Sequence, residues 1–345
     1  MAKPKILVTG GLGFIGSHTV VQLVEHGYDP IIIDNLSNSK EWIRAHIEKI
    51  VDQPVSFYKA DCNDRKALRH IFEKEENIEG VIHFAAYKAV GESVEKPLMY
   101  FDNNLGSTVK LMETMKEYEV KQFIFSSSCS VYGNPEKLPV TEDTPMQRAE
   151  SPYAYTKQVC ERMIEDAHQS RVPFSTVILR YFNPVGAHPS SLIGELPLNK
   201  PNNLVPVITG AAIGKYGPMT VHGDDYDTPD GSCIRDYIHV VDLADAHVKA
   251  IDFLNKQNKD NQVEIFNVGT GQGNSVLEML NFFEEESGTK VPYSIGPRRP
   301  GDVVQVYADC TKVNTIMGWE AKLTARDALR DAWNWELYLK NDKPE

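Results

Sequence analysis

The sequence predicts an α/β protein built on a Rossmann-like, doubly wound parallel sheet, with a smaller C-terminal lobe. Short, almost continuous apolar runs alternate with longer amphipathic segments through the first half of the chain. This alternation is typical of βαβ units whose parallel sheet is covered on both faces. A glycine-rich turn joins the first pair of segments. After Asn183, prolines cluster and polar loops dominate, which indicates a lobe mounted on the edge of the sheet.

The apolar runs are the predicted strands, and helices are expected between them. Strands are expected at residues 6–8, 31–33, 55–58, 81–84, 123–125 and 176–179. Helices are expected at 14–26, 65–73 and, at the end of the chain, 324–340. Residues 1–183 are therefore expected to form the larger domain. Residues 184–345 are expected to form mainly the smaller lobe, with some segments returning to the larger domain.

The charge balance limits the ligands that the surface can attract. The 345 residues carry a formal net charge of -12 at pH 7, which repels nucleic acid and anionic membrane surfaces. We therefore expect neither partner. A small anionic ligand would need positively charged groups close to its site.

The cysteines predict a reducing compartment. They are scattered, odd in number and without C-x-x-C spacing, so neither a disulfide framework nor a metal site is expected. No apolar stretch approaches the roughly 20 residues that span a bilayer. Met1 is followed within a few residues by the first predicted strand, which leaves no room for a signal peptide. The expected location is the cytoplasm.

A glycine motif follows the first predicted strand and opens the first predicted helix. Its residues are Gly10, Gly13, Phe14, Ile15 and Gly16. Glycines at this junction let the backbone approach a pyrophosphate, which the N-terminus of the helix attracts. The motif predicts a dinucleotide site, although a glycine turn without a ligand can have the same spacing.

Asp34 ends the second predicted strand. A carboxylate at this position can accept hydrogen bonds from the adenosine ribose, and it would repel a 2′-phosphate. NAD is therefore the expected cofactor rather than NADP. The alternative is an aspartate that only caps a turn.

Tyr153 and Lys157 are the candidate catalytic pair. They stand four residues apart near the start of a predicted helix, so they share one face, whereas Tyr155 has Val159 at that spacing. An unperturbed tyrosine, with a pKa of about 10, is protonated at neutral pH. A neighbouring ammonium and a cationic nicotinamide ring would both lower that pKa. Lys157 is also expected to hold the nicotinamide ribose.

Four serines compete for a third catalytic position. Ser126, Ser127, Ser128 and Ser130 leave the fifth predicted strand at its carboxyl end, where ligands bind in open α/β sheets. One hydroxyl is expected to bond the reacting oxygen of the substrate and to help move its proton. The spacing alone does not choose among the four.

Together with these motifs, longer segments resemble the extended short-chain dehydrogenase/reductase superfamily and, within it, the UDP-galactose 4-epimerase family. The resemblance covers essentially the whole chain. The segments that carry it are Asp34-Asn35-Leu36, Lys88-Ala-Val-Gly-Glu-Ser, Asp102-Asn103-Asn104, Arg180-Tyr-Phe-Asn183-Pro-Val-Gly-Ala-His-Pro, Asn202-Asn203-Leu204, Arg235-Asp-Tyr-Ile-His-Val and Arg298-Arg299-Pro-Gly-Asp302.

The resemblance implies a role for each matching residue. It makes Ser128 the catalytic hydroxyl, Tyr153 the base and Lys157 a ligand of NAD. The further implied cofactor residues are Asn35, Asn38, Asp61, Lys88, Asn103, Tyr181 and Phe182. The further implied substrate residues are Asn183, Asn203, Leu204, His222, Arg235, Arg299, Asp302 and Val306. Arg235 and Arg299 would be the local cations that an acidic protein needs to bind a diphosphate.

The resemblance also implies a reaction and an assembly. Tyr153 takes the proton of the sugar 4-hydroxyl while the C4 hydride passes to tightly bound NAD. The 4-keto sugar then turns over and receives the hydride on its other face, which interconverts UDP-galactose and UDP-glucose. Residues 1–183 would be the NAD-binding domain and residues 184–345 mainly the UDP-sugar-binding lobe. The family usually forms homodimers through helices of the NAD domain.

Other reaction classes agree less well with the residues. Sugar-nucleotide 4,6-dehydratases carry an Asp-Glu pair where this chain has Cys129 and Ser130, and decarboxylating relatives carry a glutamate at the second position. A simple NAD-dependent dehydrogenase, or another extended short-chain nucleotide-sugar enzyme, is the alternative. A non-catalytic NAD-sensing scaffold is an alternative of a different class, against which the presence of Ser128, Tyr153 and Lys157 argues.

The resemblance places Val306 against the sugar. Family members with tyrosine at this position accept plain hexoses, and those with small residues accept N-acetylhexosamines. UDP-N-acetylgalactosamine and UDP-N-acetylglucosamine are therefore expected substrates as well. The alternative is a valine that only packs in the interior. Cys129 and Tyr87 depart from the family pattern and are expected to affect the retention of NAD.

Overall fold

The computed structural model describes residues 3–257, 259–299 and 302–341, so Pro300 and Gly301 of the second arginine motif lie outside the described residues. In these ranges the strands are β1 (Lys5–Thr9), β2 (Asp29–Asp34), β3 (Ser56–Lys59), β4 (Ile78–His83), β5 (Gln122–Ser128), β6 (Ser175–Tyr181), β7 (Asn183–Val185), β8 (Met219–His222), β9 (Ile234–Arg235), β10 (Tyr237–His239), β11 (Val263–Val268), β12 (Asn274–Ser275), β13 (Tyr293–Gly296) and β14 (Gln305–Val306).

The α-helices in the same ranges are α1 (Phe14–Glu25), α2 (Trp42–Val51), α3 (Arg65–Glu75), α4 (Val90–Glu95), α5 (Pro97–Glu117), α6 (Pro152–Gln169), α7 (Leu204–Ala212), α8 (Val240–Gln257), α9 (Val276–Ser287) and α10 (Ala325–Asn341). A 3₁₀ turn at Cys129–Tyr132 directly follows β5. We call it the catalytic turn, because it directly follows Ser128, the last of the three consecutive candidate serines.

Parallel strands form the main sheet in the order β11-β6-β5-β4-β1-β2-β3. The strand order reverses between β1 and β4, which is the point where open α/β sheets bind ligands. The predicted doubly wound, Rossmann-like sheet is therefore confirmed. All six predicted strands belong to it, and β11 returns to it from the second half of the chain.

Alternate residues of the strands enter apolar cores on opposite faces of the sheet. In β1, Ile6 and Val8 belong to the core under α1, α2 and α8, whereas Leu7 belongs to the core under α3, α5 and α6. Each side chain of this kind contributes about 1.5–3 kcal/mol when it is fully buried. Burial on both faces explains why the strands are continuous apolar runs rather than alternating ones.

The smaller lobe has a core of its own and three small sheets. Helices α7, α9 and α10 enclose a cluster that includes Ile208, Phe283 and Leu329. The small sheets pair β7 with β10, β8 with β13, and β9 with both β12 and β14. Because β6 leads almost directly into β7, the lobe begins at the carboxyl edge of the main sheet, where the ligand site is expected.

A further apolar cluster joins the catalytic turn to the lobe. Val131 and Tyr132 of the turn pack there with Phe182 and with Val306 of β14. In the described part of the chain, no helix is both long and apolar enough to cross a membrane. Nor do those residues include a group of three or more His, Cys, Asp or Glu side chains arranged to hold a metal ion.

Candidate active site

The glycine motif forms a tight turn between β1 and α1. Gly10 has a φ of 69°, and a Cβ at this position would lie 3.0 Å from the backbone nitrogen of Ala85. A Cβ on Gly16 would overlap the carbonyl oxygen of Gly10. Among the described side chains, none caps the N-terminus of α1, so the N–H groups of its first turn can bind an anion. The turn therefore fits the pyrophosphate of a dinucleotide.

Asp34 is buried at the end of β2, beside this turn. Its carboxylate accepts hydrogen bonds from the N–H of Leu12 at 3.1 Å and from the hydroxyl of Ser39 at 2.8 Å. It also caps its own turn by accepting from the N–H of Leu36, the contact on which the alternative interpretation of Asp34 depends. These bonds fix the carboxylate where the ribose of NAD is expected. Ser39 is absent from the predicted site because a serine in a polar loop gives no indication of such a contact.

Three further predicted cofactor residues belong to one hydrogen-bonded group. Asn35 donates to Asp61 at 3.0 Å, and Asn63 connects Asp61 to Asn103 through bonds of 2.7 and 3.3 Å. The group brings three separate segments of the chain to the same edge of the sheet. Asn38 lies exposed in the loop before α2.

Helix α6 carries Tyr153 and Lys157 on its buried face. Ser151 caps the helix by accepting a hydrogen bond from the N–H of Ala154 at 3.2 Å, and a proline occupies the first turn. Tyr153 and Lys157 are both buried, whereas Tyr155 is 51% exposed. The two tyrosines therefore lie on different faces, as the four-residue spacing predicts.

The protein's own groups do not give Tyr153 a low pKa. Burial raises the pKa of Tyr153 to about 12, and the neighbouring Ser128 side chain opposes this only in part. Lys157 instead donates to the carbonyl oxygen of Ser126 at 2.6 Å, and burial lowers the pKa of its ammonium to about 8. The expectation that Lys157 lowers the pKa of Tyr153 is therefore wrong for the protein alone, because the ammonium bonds to the backbone and is itself poorly solvated.

The structure distinguishes the four serines. Ser126 and Ser127 are turned away from the phenol, since their hydroxyls bond to a buried histidine and a buried glutamate. Ser128 ends β5, and its side chain is the one that acts on the pKa of Tyr153. The hydroxyl of Ser130 is buried without a hydrogen-bond partner among the described residues. The position of Ser128 thus agrees with the role that the resemblance implies.

A buried ion pair lies beneath these catalytic groups. Arg180 of β6 bonds to Glu161 of α6 at 2.7 Å, and both side chains are almost completely buried. Ser127 of β5 donates to the same carboxylate. The pair therefore joins β6 to β5 and α6, the two elements that carry Ser128, Tyr153 and Lys157. Removing one partner of such a pair typically costs about 3–5 kcal/mol of stability.

Arg235, Arg299 and Asp302 converge in the smaller lobe. Arg299 donates to the Asp302 carboxylate at 2.8 Å, and Arg235 lies 4.0 Å from the same oxygen. Each guanidinium has more N–H donors than one carboxylate oxygen accepts, so donors remain for a diphosphate. The structure thus gathers the two predicted local cations at one place.

Cys129 is within electrostatic reach of both Arg235 and the Tyr153 phenol. Burial raises the pKa of the Cys129 thiol to about 12, and the Arg235 guanidinium acts in the opposite direction. Cys129 in turn contributes to the raised pKa of Tyr153. Cys129 therefore links one of the two arginines electrostatically to the candidate base. Val306 pairs with Arg235 across β14 and β9, and it is buried in the cluster under the catalytic turn. Val306 therefore packs in the interior, as the alternative interpretation of this valine predicts, and it also lies directly beside Arg235 of the predicted site.

The remaining predicted residues lie around the same edge of the sheet. Lys88 and Asn203 both bond to Glu195, at 3.3 and 2.6 Å. Tyr181 ends β6, Phe182 follows it, Asn183 begins β7, Leu204 begins α7 and His222 ends β8. His222 is exposed, and no described hydrogen bond joins it to the arginines.

Comparison with known proteins adds three relatives and a family model. A model described as GDP-mannose 4,6 dehydratase matches residues 7–332. The UDP-glucose 4-epimerase of Bacillus subtilis (strain 168) is 49% identical over 332 residues, 96% of each chain. The crystal structure of UDP-glucose 4-epimerase from Bifidobacterium longum in complex with NAD+ and UDP has a TM-score of 0.92 and 47% identity, covering 98% of each chain. The UDP-Glc/GlcNAc 4-epimerase from Campylobacter jejuni has a TM-score of 0.83 and 35% identity, covering 97% of this chain and 99% of that one.

The family model is named after a dehydratase. The three relatives, which match this chain over nearly its whole length, are named epimerases. The residues after Ser128 do not support dehydration. A dehydratase needs an acid and a base there, but the Cys129 thiol, with its raised pKa, stays protonated at neutral pH, and Ser130 offers only a hydroxyl. By its similarity over 96% of its length, its NAD-type sheet and these two residues, the chain belongs to the UDP-glucose 4-epimerase family of the extended short-chain dehydrogenases/reductases.

Proposed function

We propose that this protein is an NAD-dependent isomerase that inverts C4 of UDP-hexoses and so interconverts UDP-galactose and UDP-glucose. The observation that carries the proposal is the position of Tyr153 and Ser128. They lie at the carboxyl edge of the sheet, the edge that also carries the dinucleotide turn, and Arg235 acts on Cys129 of the catalytic turn. A base in this position can act on a sugar whose diphosphate is held by the lobe and whose C4 faces the cofactor.

Each catalytic side chain has a proposed task. Tyr153 removes and returns the proton of the 4-hydroxyl, and Ser128 bonds the same oxygen. When bound, NAD supplies a reversible hydride acceptor and a cationic ring that favours the phenolate. Lys157 holds the nicotinamide ribose from its buried position on α6. Because hydride leaves and returns in each cycle, the cofactor is used without net consumption.

The cofactor-binding group is proposed to extend along the carboxyl edge of the main sheet. Asp34 holds the adenosine ribose, and the hydrogen-bonded group of Asn35, Asp61 and Asn103 lines the neighbouring surface, with Lys88 opposite. Residues 1–183 are the proposed NAD-binding domain. Residues 184–345 are mainly the proposed UDP-sugar lobe. The exceptions are β11, which belongs to the main sheet, and α8, which packs against it.

The substrate is proposed to be held mainly by its UDP moiety. Arg235 and Arg299 bind the diphosphate, and Asp302 orients both guanidinium groups. Asn183, Asn203, Leu204 and His222 are proposed to contact the rest of the nucleotide. With most contacts on UDP, the hexose can present either face of C4.

Val306 is proposed to admit N-acetylhexosamines as well. A valine beside Arg235 occupies less volume than a tyrosine would, which leaves room for an N-acetyl group at C2. Val306→Tyr is expected to abolish turnover of UDP-N-acetylgalactosamine and to leave turnover of UDP-galactose largely intact. Equal loss of both activities would show that the valine only fills the interior.

The exposed apolar residues of α4, α5 and α6 support a homodimer. Val94 and Leu98 are 62% and 79% exposed, and Tyr155 of α6 lies near Phe101 of α5. Contiguous exposed apolar residues are characteristic of an interaction surface. We expect sedimentation to give a dimer and Leu98→Asp to give a monomer; a wild-type monomer at micromolar concentration would exclude this assembly.

The free cysteines support a reducing compartment, the cytoplasm.

The decisive experiment mixes the purified protein with UDP-galactose, adds no NAD, and separates the nucleotide sugars over time. Accumulation of UDP-glucose to a fixed ratio, without stoichiometric NADH, is the expected result. Activity that appears only after NAD is added would mean weak retention of the cofactor, for which Cys129 and Tyr87 are the first residues to test. Net production of NADH would favour a dehydrogenase instead, and NAD binding without turnover would favour a sensing scaffold.

A further inference from the structure

We infer that Glu195 is a positioning residue that couples the cofactor side of the site to its substrate side. The inference rests on the proposed function, because it concerns two residues proposed as ligands, Lys88 for NAD and Asn203 for UDP. One carboxylate oxygen of Glu195 accepts from the Lys88 ammonium at 3.3 Å and from the Asn203 amide at 2.6 Å. A displacement of either donor therefore alters the bond available to the other.

The two donors come from opposite sides of the proposed site. Lys88 follows β4, and its ammonium lies 5.9 Å from the ring centre of Phe14, the first residue of α1. It is therefore close to the turn proposed for the pyrophosphate of NAD. Asn203 directly precedes α7 of the smaller lobe. Glu195 is thus the side chain that connects the start of the cofactor helix to the start of a helix in the lobe.

The backbone around Glu195 is held firmly enough for this task. The Trp335 indole donates to the carbonyl oxygen of Glu195 at 2.9 Å. A Cβ on Gly194 would lie 2.5 Å from the same indole ring. A larger residue at this position would therefore clash with Trp335, and the backbone packs closely against the indole. Ile193 is buried in the core of the main sheet.

The charge of Glu195 also points to a positioning role. A carboxylate near sites for two anionic ligands weakens the binding of both unless a cation compensates for it. Lys88 provides that compensation, and the amide of Asn203 satisfies the carboxylate further. A neutral glutamine of the same shape would keep the bond from Asn203 but lose the charge that holds Lys88. The two halves of the coupling can therefore be separated by substitution.

The test compares Glu195→Gln and Glu195→Ala with the wild type, using UDP-galactose as substrate. The first measurement is the amount of NAD that remains bound after gel filtration. The second is the kinetics, KM and kcat, with NAD present in excess. Glu195→Ala is expected to raise KM about tenfold, the factor for losing one hydrogen bond to a charged group, and to lower the retained NAD. Glu195→Gln is expected to lower the retained NAD while KM stays within about twofold of the wild type.

Glu336→Ala is the matched control. Glu336 and Glu195 both have side chains that are 12% exposed, and Glu336 pairs with Lys215 much as Glu195 pairs with Lys88. A loss that merely reflects a weakened fold would affect the control and Glu195→Ala alike, and it would not separate KM from NAD retention. Such a parallel loss, or wild-type values for both Glu195 variants, would overturn the inference. An inactive wild type would instead refute the proposed function, and if Glu195→Ala fails to fold, the isosteric Glu195→Gln decides.

Discussion

The cofactor side and the substrate side of the site are built in different ways. Tyr153, Lys157 and Asp34 are buried, and each is fixed by a cap, a carbonyl or a backbone N–H. Arg299 and Asn203, by contrast, are side chains of loops or helix ends and bond mainly to other exposed or half-buried side chains. The difference matches two demands of the proposed reaction. Hydride transfer needs a fixed geometry, whereas a sugar that must present both faces is better held through its nucleotide.

The largest effect is expected at the rigid side of this comparison. Tyr153→Phe removes the phenolic oxygen that is proposed to accept the proton, so we expect kcat to fall about 10²–10⁴-fold, the usual contribution of a positioned acid–base group. The content of bound NAD should not change. Tyr155→Phe, on the exposed face of the same helix, is the control and should retain full activity. Comparable losses in both variants would show that α6 is only sensitive to substitution.

The second effect concerns the cost of burying Lys157. Its pKa is about 8 in the folded protein, against an ordinary value of 10.5. Between these two pH values the unfolded chain binds a proton that the folded protein has released, so stability rises with pH. The rise amounts to roughly 3 kcal/mol. The Lys157→Met variant should lack this rise in stability. The free energies of unfolding of the variant and the wild type, measured in urea at pH 7 and pH 10 with matched NAD content, show whether it does. Equal pH dependence in both proteins would show that the ammonium is well solvated.

The smallest of the three effects is expected at the adaptable side. Arg235→Ala should raise KM for UDP-galactose about 10–100-fold and change kcat little, because a charge-assisted hydrogen bond contributes roughly 1.5–3 kcal/mol. Arg298→Ala is the control, since Arg298 bonds to Asp225 and stacks on Tyr226. A fall in kcat with KM unchanged would place Arg235 in the chemistry rather than in binding, and the contrast between the two sides would fail.

The sequence predicted the main sheet well because its central strands are buried on both faces, so that their apolar runs are continuous. The glycine turn and the Tyr153–Lys157 pair were equally accessible, since each depends on residues only a few positions apart. The pair Glu161–Arg180 and the bridge from Glu195 to Lys88 were not. Lys88 and Glu195 are separated by 107 positions, and no local pattern indicates which of many charged residues will meet.

The expected effect of Lys157 on the pKa of Tyr153 fails in the protein alone for a related reason. Spacing places Lys157 on the same face of α6, but it does not say which atom the ammonium contacts. The structure directs that ammonium to the Ser126 carbonyl, and burial then dominates the electrostatics of the phenol. The environment of a charge depends on three-dimensional packing, whereas its place along a helix does not.

Because α8 and β11 return to the main sheet between segments of the smaller lobe, the two parts are interleaved within one folding unit. A chain cut after Asn183 would lose the strand that pairs with β6 from residue 176 to 181, together with the helix that covers one face of the sheet. The backbone of β6 would become an open edge, which is a template for aggregation. The two halves of this protein can therefore be assigned different ligands, but they cannot be expressed as separate pieces or exchanged as modules at residue 183.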